Sequence, residues 1–150
     1  MAAMIKTALT PATTETRGRN TAQRAAVLAV MGDSSRFRTA QDIYADLRAE
    51  GARVGLTTVY RHLQRLSDEG VIHSVQTPDR QTAYRLCSSS HHHHLVCARC
   101  GAGVEIPGTE FEEWAAGEAS SRGYSRVTHK VEIFGTCPAC SARNGPESST

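Results

Sequence analysis

Five cysteines and seven histidines are the side chains in this 150-residue sequence best suited to chemistry, and all except His62 fall within residues 73–140. Cys97/Cys100 and Cys137/Cys140 form two Cys-x-x-Cys pairs, and four consecutive histidines, 91–94, stand just before the first pair. A tetrahedral structural zinc site takes four thiolates at roughly 2.3 Å, and each Cys-x-x-Cys turn presents two of them. Residues 101–136 are too many for a minimal zinc ribbon, so a strand-and-helix unit must fold between the pairs and return the second to the first. Two disulfides, or free thiols, are the plain alternative. The chain carries no sign of export, and cytosolic thiols stay reduced, which favours metal.

The histidine run is internal and leads straight into Leu95-Val96-Cys97, unlike a purification tag. On a strand, alternation sends His91 and His93 to one face and His92 and His94 to the other, so one short strand could feed two metal sites. A solvated histidine loop is the simpler reading. Against it stand further donors nearby in sequence: Cys87, His73, Glu112 and His129. Imidazole with thiolate suits zinc, whereas one carboxylate with three imidazoles selects less sharply.

These ligands need positioning by a chain of modest means. Apolar residues make up 39% and aromatics only 5%, enough for one ordinary domain or two small ones, with metal adding stability that burial does not. There is no apolar stretch of signal-peptide length near the start and no run of about 18 apolar residues, so a cytoplasmic protein with no membrane partner is expected. The net charge of +2 divides unevenly: ten Lys/Arg face seven Asp/Glu in residues 1–70, but five face seven in residues 91–150. A basic N-terminal half beside an acidic metal-rich half fits contact with a polyanion at one end only.

The N-terminal half reads as helices. Thr21 is placed as N-cap of a helix ending at Met31 and Gly32; Thr39 caps a second over 40–50, stopped by Gly51; a third runs over 57–69 to Gly70. Two strands, 71–75 and 82–86, follow around the turn Pro78-Asp79-Arg80, which describes a winged helix-turn-helix. Thr57, Thr58, Tyr60, Arg61, Gln64 and Arg65 then form the groove-facing side of the third helix, with Arg61 first for base readout. Arg19, Arg24, Arg36, Arg38 and Arg53 are candidates for phosphate neutralisation.

The stretch Gly55-Leu56-Thr57-Thr58-Val59-Tyr60-Arg61-His62-Leu63, the run from His91 through Gly101 and the ending Val131-Glu132-Ile133-Phe134-Gly135-Thr136-Cys137-Pro138-Ala139-Cys140 resemble the Fur superfamily of metal-dependent repressors. Within it they are most similar to the zinc uptake regulators of actinobacteria, over about residues 17–141. The resemblance implies an α+β protein: a winged-helix DNA-binding domain over 19–87, a small α/β dimerisation domain over 88–141, and flexible tails at 1–18 and 142–150. It implies a structural zinc on Cys97, Cys100, Cys137 and Cys140. A sensory zinc would sit on Cys87, His92, His94 and His73, the last where close relatives often have aspartate. A third site would take His91, His93, Glu112 and His129.

Phe37 stands where iron- and peroxide-sensing members usually have a ligand histidine, which with the cysteine ligand favours zinc. A helix over 109–122, carrying Phe111, Trp114 and Ala115, and a strand over 127–134 would supply the dimer surface. The implied function is a zinc-responsive repressor, two or three Zn2+ per subunit, acting on double-stranded operator DNA as a homodimer. No small-molecule substrate beyond the metal ion is expected. A regulator tuned to iron, nickel, manganese or peroxide is the alternative. A zinc enzyme is disfavoured because four protein donors are available for every site, leaving no open coordination position.

Overall fold

The computed structural model describes residues 12–32, 34–88 and 90–144 of the chain, with the side chains of 12–17 and 144 left aside. The architecture is α+β. A 20-residue helix α1 (Ala12–Met31) leads into strand β1 (Arg38–Thr39), helix α2 (Ala40–Ala49), helix α3 (Leu56–Asp68) and the hairpin β2 (Ile72–Gln76) and β3 (Thr82–Leu86). Then come β4 (His93–Cys97), β5 (Gly103–Ile106), helix α4 (Thr109–Ser121), β6 (Glu132–Gly135) and helix α5 (Pro138–Asn144).

Local chemistry accounts for most boundaries. Thr39 caps α2 through a reciprocal box: its hydroxyl accepts from Asp42 N at 3.2 Å, while Asp42 Oδ2 accepts from Thr39 N at 3.0 Å. The apolar faces of the three N-terminal helices meet in one core built around Val27, Ile43, Leu47, Val59, Leu63 and Leu66, all fully buried, and Ile72 and Tyr84 of the hairpin close it. The wing is a three-stranded antiparallel sheet in the order β1-β3-β2.

Four expectations need correction. Thr21 lies inside α1 and does not cap it, and residues 12–18, expected as part of a flexible tail, are helical. Once the downstream turns are packed, each added helical residue gains a hydrogen bond without a new nucleation cost. At the other end α5 runs on to Asn144, past the expected boundary at 142, while residues 1–11 and 145–150 lie outside the described residues. The strand expected over 127–134 is only Glu132–Gly135, because β4 offers pairing partners no further back than His94.

The second sheet, in the order β5-β4-β6, pairs β5 antiparallel and β6 parallel to β4. Its register sorts side chains by face. His94 sits between Glu105 and Glu132, and Val96 between Gly103 and Phe134, on one face; Leu95 lies between Val104 and Ile133 on the other. The first face packs on the wing: Val96 and Phe134 join Phe37, Val75 and Ala83 in a second core that crosses from one sheet to the other.

Hydrogen bonds from backbone amides stitch the same seam. Phe37 N donates to Gly101 O at 2.8 Å, Gly103 N to Ser35 O at 2.8 Å, and Gln76 N to Glu132 Oε2 at 3.2 Å. Gly101 is required there: its φ is +73°, and a β-carbon would lie 2.5 Å from Phe37 O. The Gly101→Ala protein is therefore expected to lose about 1–3 kcal/mol of stability. An unchanged midpoint in urea unfolding would contradict this account of the seam.

Candidate metal centres

Three groups of four donors converge, and in each group the ligand atoms lie within 4.8 Å of one another. They are Cys97/Cys100/Cys137/Cys140, His73/Cys87/His92/His94 and His91/His93/Glu112/His129. The alternation of the histidine run is what divides them. Residues 92 and 94 point to the wing-facing side of β4, where β2 brings His73 and the end of β3 brings Cys87. Residues 91 and 93 point to the opposite side, where α4 brings Glu112.

In the first group the five-residue neighbourhood of β4 meets the start of α5. Cys100 Sγ and Cys137 Sγ lie 3.7 Å apart, close to the roughly 3.8 Å edge of a tetrahedron with Zn–S bonds of about 2.3 Å. All five cysteines are free thiols, so the disulfide alternative is not realised. Burial works to raise Cys97, but the amides of Cys137, Cys100 and Arg99 and the Cys100 thiol outweigh it and bring the sulfur down to about 6. Cys140 is pushed the other way, first by the Cys137 thiol and then by burial. Four crowded sulfurs with one already favouring its anion are a donor set that a dication neutralises.

The hinge group sits on the seam. Cys87 Sγ is 3.3 Å from His94 Nε2, and His92 Nε2 is 3.1 Å from His94 Nε2. His73 stacks on His92 with ring centroids 4.7 Å apart. Ser90 O lies 2.5 Å from His92 Nδ1, which fixes the proton on that nitrogen and turns the Nε2 lone pair to the other donors. The Phe37 ring packs edge-on against His94 at 5.0 Å, an apolar wall. Burial first, then His92, His73 and Arg85, hold His94 down to about 4, and burial and the neighbouring imidazoles also lower His73. Burial pushes the Cys87 thiol up to about 11.

The third group gathers on one oxygen. His91, His93 and His129 all aim Nε2 at Glu112 Oε1, with His93 at 3.4 Å and His129 at 3.6 Å. His93 Nε2 and Glu112 Oε1 are buried without a hydrogen-bond partner among the described residues. Orphaned buried donors and acceptors are costly, and a cation among them would satisfy every one. Space for His93 depends on Gly108, where a β-carbon would come within 2.3 Å of the imidazole.

Two site residues escaped the sequence. Glu105 faces His94 across the β4–β5 pair and stands 3.8 Å from His92 Nε2, held by Ser88 N and Oγ. Its signal was an acidic residue on a strand whose neighbours are apolar. Gly108 was legible only as a helix boundary.

On α3, Thr57, Tyr60, Arg61, Gln64 and Arg65 are exposed and Thr58 is half-buried, all away from the core side of Val59, Leu63 and Leu66. Arg24, expected at the DNA, also has a partner within the protein. Both its terminal nitrogens are taken by the Glu69 carboxylate, at 2.6 and 3.1 Å, a two-pronged match of guanidinium to carboxylate that ties α1 to the end of α3. Arg38 is likewise held by Asp46 and by Val30 O.

A family model for the ferric uptake regulator family matches residues 15–134. The chain belongs to that family. The zinc uptake regulation protein of Mycobacterium tuberculosis is 45% identical over 122 residues, 81% of this chain and 94% of that protein. A solved zinc uptake regulator from M. tuberculosis is 44% identical, covering 83% of this chain and 96% of its own, with a TM-score of 0.50. A zinc uptake regulator complexed with zinc and DNA is 26% identical, covering 85% of this chain and 95% of its own, with a TM-score of 0.65.

The hinge donors give a pH dependence whose sign is fixed. Cys87 must lose its proton to bind metal and, at about 11, holds that proton throughout the neutral range, whereas His94 at about 4 is already unprotonated. Zinc affinity at the hinge is expected to fall by about tenfold for each unit of pH lowered between 8 and 6. Competition against a chelator of known affinity measures this; an affinity flat with pH would contradict the assigned state of Cys87.

Proposed function

We propose that this protein is a zinc-responsive transcriptional repressor that binds operator DNA as a homodimer when the hinge group is filled. The carrying observation is the division of that group: His73 and Cys87 belong to the winged unit over 19–87, His92 and His94 to the unit over 88–141. Each unit supplies two of four donors, so an arrangement with the units apart forfeits half of the coordination. Bound there, zinc supplies a tetrahedral tie between units.

The magnitudes suffice. Moving a two-state equilibrium from 1:99 to 99:1 takes about 5.5 kcal/mol of differential binding. A four-ligand zinc site provides on the order of 10–16 kcal/mol at pH 7, so losing two donors forfeits enough to drive the change. The same arrangement holds the wing, against which α3 packs, on the second sheet through the Phe37 and Val96 core. The higher TM-score against the DNA-bound regulator, despite lower identity, supports a placement of the two units like that in a DNA complex.

The four cysteines take a structural zinc, and His91, His93, Glu112 and His129 a further one, giving two or three Zn2+ per subunit. Groove contacts come from Thr57, Thr58, Tyr60, Arg61, Gln64 and Arg65. Helix α4 buries none of its side chains, and Trp114 remains 61% exposed; Leu95, Val104 and Ile133 form an exposed apolar row across the second sheet. A second copy of the chain is the occupant this face fits. No described helix is long and apolar enough to cross a membrane, and we place the protein in the cytoplasm as a regulator without enzymatic activity. Glu105 beside His92 favours one second reading, a regulator answering a harder ion such as iron or manganese, which would recruit that carboxylate.

Replacing Cys87 with Ser is expected to keep the fold and the dimer but abolish the zinc dependence of operator binding in a gel-shift titration. A titration indistinguishable from the parent protein would refute the sensory role. Cys97→Ser is expected to misfold or fall to monomer, read by sedimentation; a stable dimer still responsive to zinc would contradict the structural role. Running the first titration with zinc, iron and manganese decides between the two readings.

A further inference from the structure

Arg85 lies on β3, directly across the strand pair from His73 and two residues before Cys87. Cross-strand pairing and strand alternation put it on the same side of the wing as both of these hinge donors. That side meets the second sheet. The Arg85 side chain is only 15% exposed, and two of its nitrogens reach across the seam to β5. Nη1 donates to Gly103 O at 3.1 Å, and Nη2 faces Glu105 Oε1 at 4.0 Å. Its Cζ stands 5.9 Å from the centre of the Phe37 ring, a cation over an aromatic face. The same ring packs edge-on against His94.

The partners are themselves fixed. Gly103 lets β5 come this close, because a β-carbon there would lie 2.8 Å from the Phe37 ring and 3.3 Å from Arg85 Nη1. Glu105 is held from its other side by Ser88 N at 3.2 Å and Ser88 Oγ at 2.7 Å. The third nitrogen of Arg85, Nε, is buried without a hydrogen-bond partner among the described residues. A charged group with one donor left unpaired is a fastener that closes the seam without locking it.

We propose that Arg85 is a positioning residue for the hinge site: a metal-independent clamp that sets how often the wing lies on the second sheet with His73 and Cys87 in reach of His92 and His94. It supplies no ligand atom and acts through Phe37 and β5. The apparent affinity of a site is its intrinsic affinity reduced by the fraction of molecules in the competent arrangement. Loss of the clamp therefore weakens metal binding at the hinge by the factor by which it lowers that fraction. The cysteine group, whose four sulfurs all come from the C-terminal unit, is untouched. Arg85 has this role only if the hinge group binds metal as proposed above.

The test titrates cobalt(II) into the full-length protein whose cysteine group has first been filled with zinc. Absorption from charge transfer between the Cys87 sulfur and cobalt marks occupancy of the hinge, since the third group contains no sulfur. Arg85→Gln is expected to need roughly tenfold more free cobalt for half-saturation, the effect of losing one charge-assisted contact, and to reach the same final band. Arg85→Lys, which keeps the charge but not the flat stack on Phe37, is expected to fall between the two. Equal half-saturation in Arg85→Gln and the parent would overturn the clamp, as a residue that merely supports the fold would leave the hinge affinity of folded protein unchanged. A different final band would overturn it too, by placing Arg85 at the ligands themselves. Should Arg85→Gln fail to fold, parent-like affinity in Arg85→Lys would be the contradicting result. No sulfur-to-cobalt band in the parent would sink the hinge reading itself, whereas a normal parent band with no effect of Arg85 sinks only the clamp.

Discussion

Nitrogen and sulfur lone pairs facing each other across 3.1–3.3 Å at the seam between two sheets are the constraint on which the rest of the structure turns. Only one proton fits between two such donors, and burial keeps His94 from taking a second. Neutral imidazoles and a neutral thiol leave the seam with weak attraction of its own. What else holds it is modest: one small apolar core around Phe37, Val75, Ala83 and Val96, and a few backbone hydrogen bonds worth about 1 kcal/mol each. A joint this marginal is suited to being decided by a dication.

The three clusters divide the labour by where their donors come from. The cysteine group takes all four sulfurs from the C-terminal unit, so it closes that unit upon itself. The third group likewise draws β4, α4 and the segment before β6 together on the outer side of the sheet. Only the hinge group spans both units. Because His91 to His94 are consecutive, the backbone that orients one imidazole pair also orients the other. Phe37 completes this arrangement by filling, with an apolar ring, the position beside His94 where another donor would raise the coordination number.

Much of this was legible in the sequence because the signals are local. Thr39 marked the start of α2, Gly51 and Gly70 marked the ends of α2 and α3, and the histidine alternation separated two donor sets before any strand was seen. The spacing of the two Cys-x-x-Cys pairs implied the intervening strand and helix. What stayed hidden depends on contacts distant in sequence. Glu105 becomes a neighbour of His92 only through the β4–β5 register, and Arg24 meets Glu69 only when α1 crosses α3. Gly108 matters through the space it leaves for His93. Helix α1 extends beyond its expected start because propagation, which no cap residue announces, carries it upstream.

Amide hydrogen exchange at Phe37 and Gly103, whose N–H groups bond across the seam, tests the central claim most directly. Zinc is added beyond the amount that fills the cysteine group, and operator affinity is measured on the same samples. Protection of both amides is predicted to rise as the hinge group fills, in step with operator affinity, and neither is predicted to rise in Cys87→Ser. Operator affinity that climbs with zinc while these amides exchange at an unchanged rate would contradict the account.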